Sequence, residues 1–490
     1  MPPPLTATDT AARAPAAPLS RASFAALFSA VMLPMFMGAV DQTLLATATP
    51  RIAAELGGLG DTAWIAAGYL LAATLMAPLY GRLGDRFGRR SVMLAALAIF
   101  VAGSVACGLA HTMHALIAAR VLQGLGGGGL MVLSQALIGE LVPPWERPRY
   151  QGYFAIVFTL SSVGGPLLGG IVVNHGDWRW LFWANLPLGL IGLWRVSRLP
   201  KAPPSPRRHA PYDPLGFALF TLAACATLLW SGQVGQRFGA FSLASAVLLA
   251  TALAAGIALW KQQRRHPNAF LPLNVLRLPG VGWTCITVVG FAGTMFALIF
   301  LLPIYLHVAH GASAVNSGLQ LVPLTGGIVV GSTINSRVSA RTGRTGQLPP
   351  FGLGAAALAL LALAVLPPTT GLIASVAAVC GIGFGTVMPS AQIGTQTLAG
   401  REHLGAAAAL LSLTRSLGAT LGTAVFGGLA LASIGASRSG EGVALDGLDP
   451  ARVVHAFHFV FGALAVFAGL AALAAMRAPR VDLRAAAHSS

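Results

Sequence analysis

The sequence predicts an all-α polytopic membrane protein with fourteen transmembrane helices. Of its 490 residues, 55% are hydrophobic and only 9% are charged, and the mean hydropathy is +0.73. A soluble domain of this length could not hide so much apolar surface. Charged residues fall in short patches between apolar runs of about 20 residues, the length that crosses ~30 Å of hydrocarbon. A membrane barrel is excluded, because barrel strands alternate at every second residue and these runs are continuously apolar.

The predicted spans begin and end where the apolar runs meet polar patches. They are residues 24–49, 62–80, 91–110, 114–139, 150–173, 178–197, 213–231, 240–260, 281–306, 313–335, 348–366, 371–394, 404–433 and 454–476. Residues 1–22 are rich in Pro, Ala and Thr and predict a disordered tail. A cleaved signal peptide is disfavoured, because the apolar run that follows is longer than a signal core and Asp41 interrupts it.

The net charge of +17 predicts topology rather than nucleic-acid binding, because the basic residues recur in alternate connections. The basic connections are Arg82–Arg90, Arg147–Arg149, Arg198–Arg208, Lys261–Arg265, Arg337–Arg344, Arg401 and Arg477–Arg484. By the positive-inside rule these connections are cytoplasmic, which places both termini in the cytoplasm and requires an even number of spans. The same charges predict contact with anionic lipid heads.

Cysteine and histidine usage predicts neither a disulfide framework nor a metal or cofactor site. The four cysteines, all scattered within predicted spans, are Cys107, Cys225, Cys285 and Cys380. Small apolar packing residues are the simplest interpretation. Six histidines in or near the predicted external connections lack metal-ligand spacing: His111, His114, His175, His307, His310 and His455. We expect no cofactor beyond a coupling ion.

Asp41 is the only acidic residue deep inside a predicted span. An ionised carboxylate at such a depth costs roughly 2.5–3.5 kcal/mol on insertion scales. Intramembrane ionisable groups usually face a water-filled cavity and handle ions, protons or charged substrate. A purely structural pair with an arginine is the alternative.

Three pairs of similar segments predict an internal repeat. GRLGDRFGRR at 81–90 resembles 336–345, at an offset of 255 residues, and 124–131 and 152–170 have counterparts at offsets of 257 and 253. We therefore expect two six-helix bundles of the same orientation, with a substrate site between them near the bilayer midplane. The predicted segments are a tail (1–22), an N-terminal bundle (23–197), a linker with two inserted helices (198–280), a C-terminal bundle (281–477) and a tail (478–490).

Several motifs resemble those of the major facilitator superfamily. GRLGDRFGRR at 81–90 is similar to the superfamily's signature between its second and third helices, ARVLQGLGGGG at 119–129 to its fourth-helix motif, and GGPLLGG at 164–170 to the fifth-helix motif associated with antiporters. Residues 40–50 and 178–189 resemble the fourteen-helix drug:proton antiporter branch, the EmrB/QacA type. The resemblance implies a major facilitator fold in a bacterial inner or plasma membrane.

The resemblance also assigns candidate gating residues. It implies that Asp85 helps to lock one conformation by a contact that breaks during transport, and that the fifth-helix motif forms a bend tied to transport direction. The candidates are Gly81, Asp85, Arg86, Gly88, Arg89, Gly165, Pro166, Gly169 and Gly170. Glycines in the first motif would allow a tight turn, and Pro166 would kink its helix. A simple basic loop and plain small-residue packing are the alternatives.

Asp41 and Arg120 are expected to form the coupling site. Arg120 lies ~9 Å and Asp41 ~13 Å into their helices at 1.5 Å per residue, similar enough depths for a direct or water-bridged ion pair. The hypothesis is a switch, in which protonation of Asp41 frees Arg120 and substrate binding favours the deprotonated form. A permanent structural pair is the alternative.

Other polar and aromatic residues are weaker candidates. Gln42 and Asn185 are polar groups on helices expected to line the cavity, and Arg415 is a second intramembrane charge without an acidic partner in its own bundle. The aromatic residues at 178–183 predict an interfacial belt, with substrate stacking as the alternative. GLGGGG at 124–129 is not a dinucleotide site, because it lies within an apolar helix and follows no strand.

The sequence thus predicts a proton-coupled exporter of amphipathic, cationic small molecules that works by alternating access. No GxxxxGK[ST] loop is present, so the proton gradient is the expected energy source. A dedicated exporter of a metabolite, siderophore or antibiotic is the alternative. An enzyme is disfavoured, because catalysis in a membrane needs several converging polar groups and Asp41 stands nearly alone. Whether an external adaptor protein takes part is left open.

Overall fold

The structure is a computed structural model of the chain and is almost entirely helical where it is described. The described residues are 21–45, 47–57, 61–200, 213–233, 239, 242–266, 270–271, 273–310, 319–367, 369–434, 438–439, 442–443 and 450–488. The predicted N-terminal tail falls almost wholly outside these ranges, as do residues 201–212 near the start of the predicted linker.

The helices up to residue 197 form the N-terminal half. They are α1 (Arg21–Leu44), α2 (Thr49–Leu56), α3 (Ala63–Phe87), α4 (Arg89–Gly108), α5 (Met113–Leu141), α6 (Arg147–His175), α7 (Trp180–Trp183) and α8 (Asn185–Ser197). The single span predicted at 178–197 is therefore two consecutive helices. Pro187 lacks the N–H that would bond to the carbonyl of Trp183, which explains the break near Ala184.

The remaining helices comprise an inserted group and the C-terminal half. The inserted group is α9 (Pro214–Gln233), α10 (Leu243–Arg265) and α11 (Leu273–Leu276). The C-terminal half is α12 (Val281–His310), α13 (Val322–Thr342), α14 (Pro349–Val365), α15 (Thr370–Gly385), α16 (Val387–Ala399), α17 (Leu404–Ile434) and α18 (Pro450–Arg477), followed by α19 (Leu483–His488). Two antiparallel strand pairs join Arg344–Thr345 (β1) to Val481–Asp482 (β4) and Arg438–Ser439 (β2) to Gly442–Val443 (β3).

Many of these helices have the length and composition of membrane spans. Nine segments of the described chain qualify: Ala26–Leu44, Trp64–Phe87, Arg89–Gly108, Met113–Leu141, Leu243–Arg265, Val281–Leu306, Thr370–Ala399, Arg401–Ala430 and Val454–Arg477. Two shorter apolar helices are Pro214–Trp230 and Pro349–Val365. The chain is thus an all-helical integral membrane protein, while the count of fourteen spans stays a prediction.

The end of one predicted span was wrong, and another predicted span contains a helix break. The span predicted at 313–335 is α13, which ends seven residues later, at Thr342. The span predicted at 371–394 is two helices that meet at Thr386, because Pro389 cannot donate a hydrogen bond to the carbonyl of Gly385.

The motif at 81–90 is helical rather than a loop, which corrects the prediction. Gly81 lies inside α3, which continues to Phe87, and α4 begins at Arg89. Gly88 alone makes the turn, with a φ of +89° that other residues rarely adopt. The role of Gly81 is close packing, since a side chain there would collide with the backbone of Gly405 in α17.

The two halves have separate apolar cores and meet at several pairs of helices. Buried side chains such as Phe100 fill the N-terminal core, and Tyr305 and Phe461 help to fill the C-terminal one. Between the halves, α3 packs against α17 and α6 packs against α13. Both contacts include the end of the molecule that carries the arginine-rich connections around Arg89, Arg147 and Arg401, here named the basic end.

Candidate functional site

Asp41 is buried within the N-terminal half and forms an ion pair with Arg120. Its side chain is 2% exposed, that of Arg120 is 1% exposed, and Nη1 of Arg120 lies 2.5 Å from Oδ2 of Asp41. The direct pair that the helix depths predicted is therefore present. Such a pair is stable at this burial only if its remaining hydrogen-bonding groups are also satisfied.

Arg120 has several partners besides the carboxylate. Its Nε donates to the backbone oxygen of Ile65 at 3.1 Å, and its Nη1 also donates to Oε1 of Gln123 at 2.6 Å. The guanidinium carbon lies 4.3 Å from the ring centroid of Tyr69 and 6.0 Å from that of Phe182. The cation is thus stabilised by an amide, a carbonyl and two aromatic faces in addition to Asp41.

Gln123, which was not among the residues predicted from the sequence, contacts both members of the pair. Its Nε2 donates to Oδ1 of Asp41 at 2.9 Å while its Oε1 accepts from Arg120, so it bridges the pair. Gln123 follows Arg120 by three residues, which puts both side chains on one face of α5. That spacing was visible in the sequence and could have identified it.

Asn185 joins the same network, whereas Gln42 does not. Nδ2 of Asn185 donates to Oγ of Ser104 at 3.0 Å and lies 3.5 Å from Oδ1 of Asp41. Gln42 follows Asp41 on α1, but its side chain is exposed and no hydrogen bond joins it to the described residues. All the described partners of Asp41 belong to the N-terminal half, so the carboxylate points into that half rather than into the space between the halves.

Among the aromatic residues at 178–183, Phe182 covers the guanidinium of Arg120, and Trp178 packs against Phe182. Trp178 is fully buried and Phe182 is 1% exposed, whereas Trp180 is 64% exposed. Trp178 is buried because its Nε1 donates to Oε2 of Glu55 at 2.8 Å and its ring packs edge-on against Phe182. Burial contradicts the belt prediction for Trp178 and Phe182, and for the exposed Trp180 the belt stays a prediction.

An ion pair holds this cover in place at the end opposite the basic end. Nη1 of Arg179 lies 2.6 Å from Oε1 of Glu55 and 3.3 Å from Oδ2 of Asp177, and its guanidinium carbon lies 4.4 Å from the Trp178 ring centroid. Hydrogen bonds from Arg179 and Trp178 hold the pKa of Glu55 below its usual value, although burial opposes the shift. These contacts connect α2 to the segment that leads into α7.

Asp85 caps a helix of the opposite half. Its two carboxylate oxygens accept hydrogen bonds from the backbone N–H groups of Gly405 and Ala406, each at 2.9 Å. These N–H groups lie in the first turn of α17, where they have no partner within the helix and where the helix dipole favours a negative charge.

Arg89 extends the same contact across the halves at the basic end. Its guanidinium lies 2.6 Å from both Asp85 and Glu140 and donates to the backbone oxygen of Arg401 at 2.9 Å. The neighbouring Arg86 lies over the ring of Phe87, 5.0 Å from its centroid. Asp85 and Arg89 thus close the seam between α3 and α17.

The fifth-helix motif packs against the turn that follows Asp41. A side chain at Gly165 would collide with Thr43, and one at Gly169 would collide with the backbone of Leu44, so both glycines permit close contact between α6 and α1. A side chain at Gly170 would meet open space. The α6 helix is continuous across Pro166, whose side chain lies outside the described part of the structure.

Arg415 contacts the opposite half through a neutral atom. Its Nη2 lies 3.9 Å from Sδ of Met131 in α5, and no acidic partner is present among the described residues. The same part of the chain contains no group of three or more histidines, cysteines or acids that could hold a metal ion.

The chain matches a known protein family over most of its length. The family model described as Major Facilitator Superfamily matches residues 31–423. The chain is 35% identical over 431 residues to the "Uncharacterized MFS-type transporter Rv1877" of Mycobacterium tuberculosis, an alignment that covers 86% of this chain but only 62% of that relative. It is 31% identical over 406 residues to the "Multidrug transporter protein MdtP" of Bacillus subtilis, covering 82% of this chain and 74% of that one.

Solved structures show the same fold at low sequence identity. The human organic anion transporter MFSD10 (TETRAN) superposes with a TM-score of 0.62 at 14% identity, over 92% of this chain and 99% of that one. The proton:xylose symporter XylE superposes with a TM-score of 0.61 at 15% identity, over 94% and 99%. The helices, the seams between the halves and these matches lead to one conclusion: the chain belongs to the Major Facilitator Superfamily of membrane transporters.

Proposed function

We propose that this transporter is a proton-coupled antiporter that exports amphipathic, cationic small molecules, with Asp41 as the proton-coupling group. The observation that carries the proposal is the buried Asp41–Arg120 pair, in which Arg120 also has partners other than the carboxylate. Breaking a buried ion pair usually costs about 3–5 kcal/mol, because one charge is left uncompensated. When Asp41 is protonated, the guanidinium keeps its hydrogen bonds to Gln123 and to the Ile65 carbonyl, and its contact with the Tyr69 ring. These contacts lower the free-energy cost of protonating the carboxylate.

The names of relatives support export. The Bacillus subtilis relatives are named "Multidrug transporter protein MdtP" and "Multidrug resistance protein 3", and relatives in Aspergillus niger and Aspergillus brasiliensis are named efflux pumps. A multidrug range fits a chain in which only 9% of the residues are charged, because few polar groups would then restrict the substrate.

The closed seam at the basic end supports an alternating-access cycle. If the arginine-rich connections face the cytoplasm, as the positive-inside rule expects, the contacts of Asp85 and Arg89 close the cytoplasmic side. Transport then requires these contacts to break, so that the substrate reaches the space between the halves from the cytoplasm. We propose that protonation of Asp41 and release of the Asp85 cap occur in different steps of this cycle.

Inverted membrane vesicles with an imposed pH gradient test the proposal. Wild type and Asp41→Asn would be compared for proton efflux, followed by fluorescence dequenching, after addition of lipophilic cations, neutral drugs or anions. We expect proton release only from wild type and only with some compounds. Equal responses of the two proteins would show that Asp41 is structural, and no response to any compound would reject broad drug antiport.

Arg415 supports the alternative of a dedicated exporter. Its half-buried guanidinium lies against Met131 of the opposite half and has no acidic partner among the described residues. It is therefore available to bind an anionic group on a substrate. An anionic metabolite, siderophore or antibiotic would then be the cargo. Proton release triggered by anions alone, and abolished in Arg415→Gln, would favour this function over export of cations.

A further inference from the structure

A cavity of about 380 Å³ lies between the inserted helices and the C-terminal half. Its walls come from α9, α10 and α17, and the lining is completed by Thr74 of α3 with Leu271, Leu273 and Leu276. The volume falls in the range of small-molecule sites, which is about 300–1,000 Å³. None of the described partners of Asp41 lines this cavity, so it is separate from the coupling site.

The lining is apolar and uncharged, with a few free hydroxyls. Side chains such as Phe220, Leu413 and Leu417 dominate it, and no Asp, Glu, Lys or Arg is part of it. The hydroxyls of three lining residues have no hydrogen-bond partner among the described residues: Thr74, Ser416 and Thr420. By contrast, Thr414 donates to the backbone oxygen of Leu410 at 2.7 Å, as helical threonines commonly do. An uncharged molecule with an apolar body and one or two oxygen atoms fits such a lining.

The wall formed by the inserted helices is anchored rather than loosely apposed. Phe270 is fully buried against Phe217 and Phe220, with ring centroids 5.3 Å and 5.6 Å away. Its backbone N–H donates to Oδ2 of Asp213 at 2.8 Å, and Nε2 of Gln263 donates to the same oxygen at 2.9 Å. This polar anchor connects the start of α9 to the end of α10 and fixes the segment that leads into the cavity lining.

We propose that this cavity is a binding site for the apolar body of an uncharged lipophile that arrives from the membrane. The shared chemistry is an alkyl or aryl chain with a weakly polar oxygen, and it is found both in lipids and in free lipophilic compounds. Because the cavity touches α3 of one half and α17 of the other, the bound molecule contacts both halves where they meet. The site is additional to the proposed export function and does not depend on Asp41.

A large side chain in place of Gly256 would fill the cavity. Gly256 lines the space, and a side chain added there would meet no atom within 4 Å at its first carbon, so Gly256→Phe inserts a ring with little strain on the backbone. Gly354 in α14 also has open space around it and lies outside the cavity, so Gly354→Phe is the matched control.

The binding test uses purified full-length protein in nanodiscs and an uncharged alkanol that carries a diazirine group. After illumination, labelled peptides are mapped by mass spectrometry. We expect saturable labelling of α9, α10 and α17 in wild type and Gly354→Phe, competed by excess unlabelled alkanol, and at least fivefold less labelling in Gly256→Phe. Labelling that is uniform along the exposed helices, or unchanged in Gly256→Phe, would overturn the site.

Two further measurements identify the source of the bound molecule. Native mass spectrometry that finds a phospholipid retained by wild type and lost from Gly256→Phe would assign the site to lipid chains. Transport of neutral lipophiles that falls in Gly256→Phe, with the pH response to cations unchanged, would assign it to free compounds. Labelling of Asp41→Asn separates the two proposals, because normal labelling there leaves the cavity site intact even if the antiport proposal fails.

Discussion

Asp41 lies at the centre of a network in which every neighbour has a second partner. Arg120 is bonded to Gln123 and to the backbone of Ile65, and Asn185 is bonded to Ser104. These second partners satisfy hydrogen-bonding groups of the buried pair, and they give Arg120 contacts other than the carboxylate. The proposed coupling role of Asp41 depends on these remaining partners, because Arg120 keeps them when its bond to the carboxylate is lost.

Replacing Gln123 by leucine should impair proton-coupled transport more than the equivalent change at Asn185. A hydrogen bond to a charged group contributes about 1.5–3 kcal/mol, so loss of the Gln123 bridge should lower the transport rate ~10-fold or more. Asn185→Leu removes a longer contact of 3.5 Å to the carboxylate and should cost less. Rates in inverted vesicles, compared at equal protein amounts, would check this order, and a larger loss in Asn185→Leu would contradict the bridging role.

Glu55 should stabilise the fold at neutral pH and lose that effect on acidification. Hydrogen bonds from Arg179 and Trp178 lower the pKa of its carboxyl in the folded protein. A lowered folded pKa adds stability above the unfolded value of about 4.3, and this stability is lost as the pH falls through the folded value. Glu55→Gln should therefore melt below wild type at pH 7, with the difference shrinking below about pH 4. A difference that grows on acidification would contradict this assignment.

At the scale of helices, the seam between α3 and α17 depends on the Asp85 cap. The carboxylate satisfies two N–H groups that α17 cannot satisfy itself, and its charge interacts favourably with the start of that helix. The second copy of the motif has Ala340 in the equivalent position, so the seam between α6 and α13 has no matching carboxylate there. The two seams are therefore closed by different chemistry.

Asp85→Asn should loosen the basic end without unfolding the protein. The amide removes the charge and leaves only one acceptor oxygen for two N–H groups, which weakens the cap by ~1–2 kcal/mol. A cysteine placed at Gln135, beneath the seam, should then react faster with an aqueous thiol reagent. Asp482→Asn is the control, because this exposed acid at the same end contacts Arg344 and the short helix α19, neither of which belongs to the N-terminal half. Equal rates in Asp85→Asn and in the control would contradict the closing role of Asp85.

At the scale of the whole molecule, the two halves touch at the basic end through backbone as well as side chains. Nε2 of Gln396 in α16 donates to the backbone oxygen of Gln135 in α5 at 3.0 Å. Cross-linking these positions should trap the closed basic end and stop transport, because alternating access requires the halves to separate there.

The cross-link can be made with Gln135→Cys and Gln396→Cys in a protein whose four native cysteines are replaced. A short cleavable thiol cross-linker should abolish proton-coupled transport, and reduction should restore it. Each single variant treated in the same way is the control. Efficient cross-linking with undiminished transport would show that this contact does not open during the cycle.

The sequence anticipated some contacts and missed others for identifiable reasons. Asp41 and Arg120 were predicted to pair because depth along a helix can be read from the sequence alone. Burial of Trp178 was missed because its partner, Glu55, is 123 residues away and nothing in the local pattern indicates it. The motif at 81–90 was predicted as a loop because its charges resemble a connection, although its backbone stays helical as far as Gly88.

The sequence by itself determined the membrane class, the approximate order of helices and the isolated intramembrane acid, since these depend on hydropathy and charge along one dimension. The tertiary structure alone decided what surrounds that acid, which glycines permit close packing, and that Asp85 caps a helix 320 residues further along the chain. The reason is physical: hydrogen bonds, caps and cavities depend on how the faces of distant helices meet, and that packing is not encoded in the local pattern of any one helix.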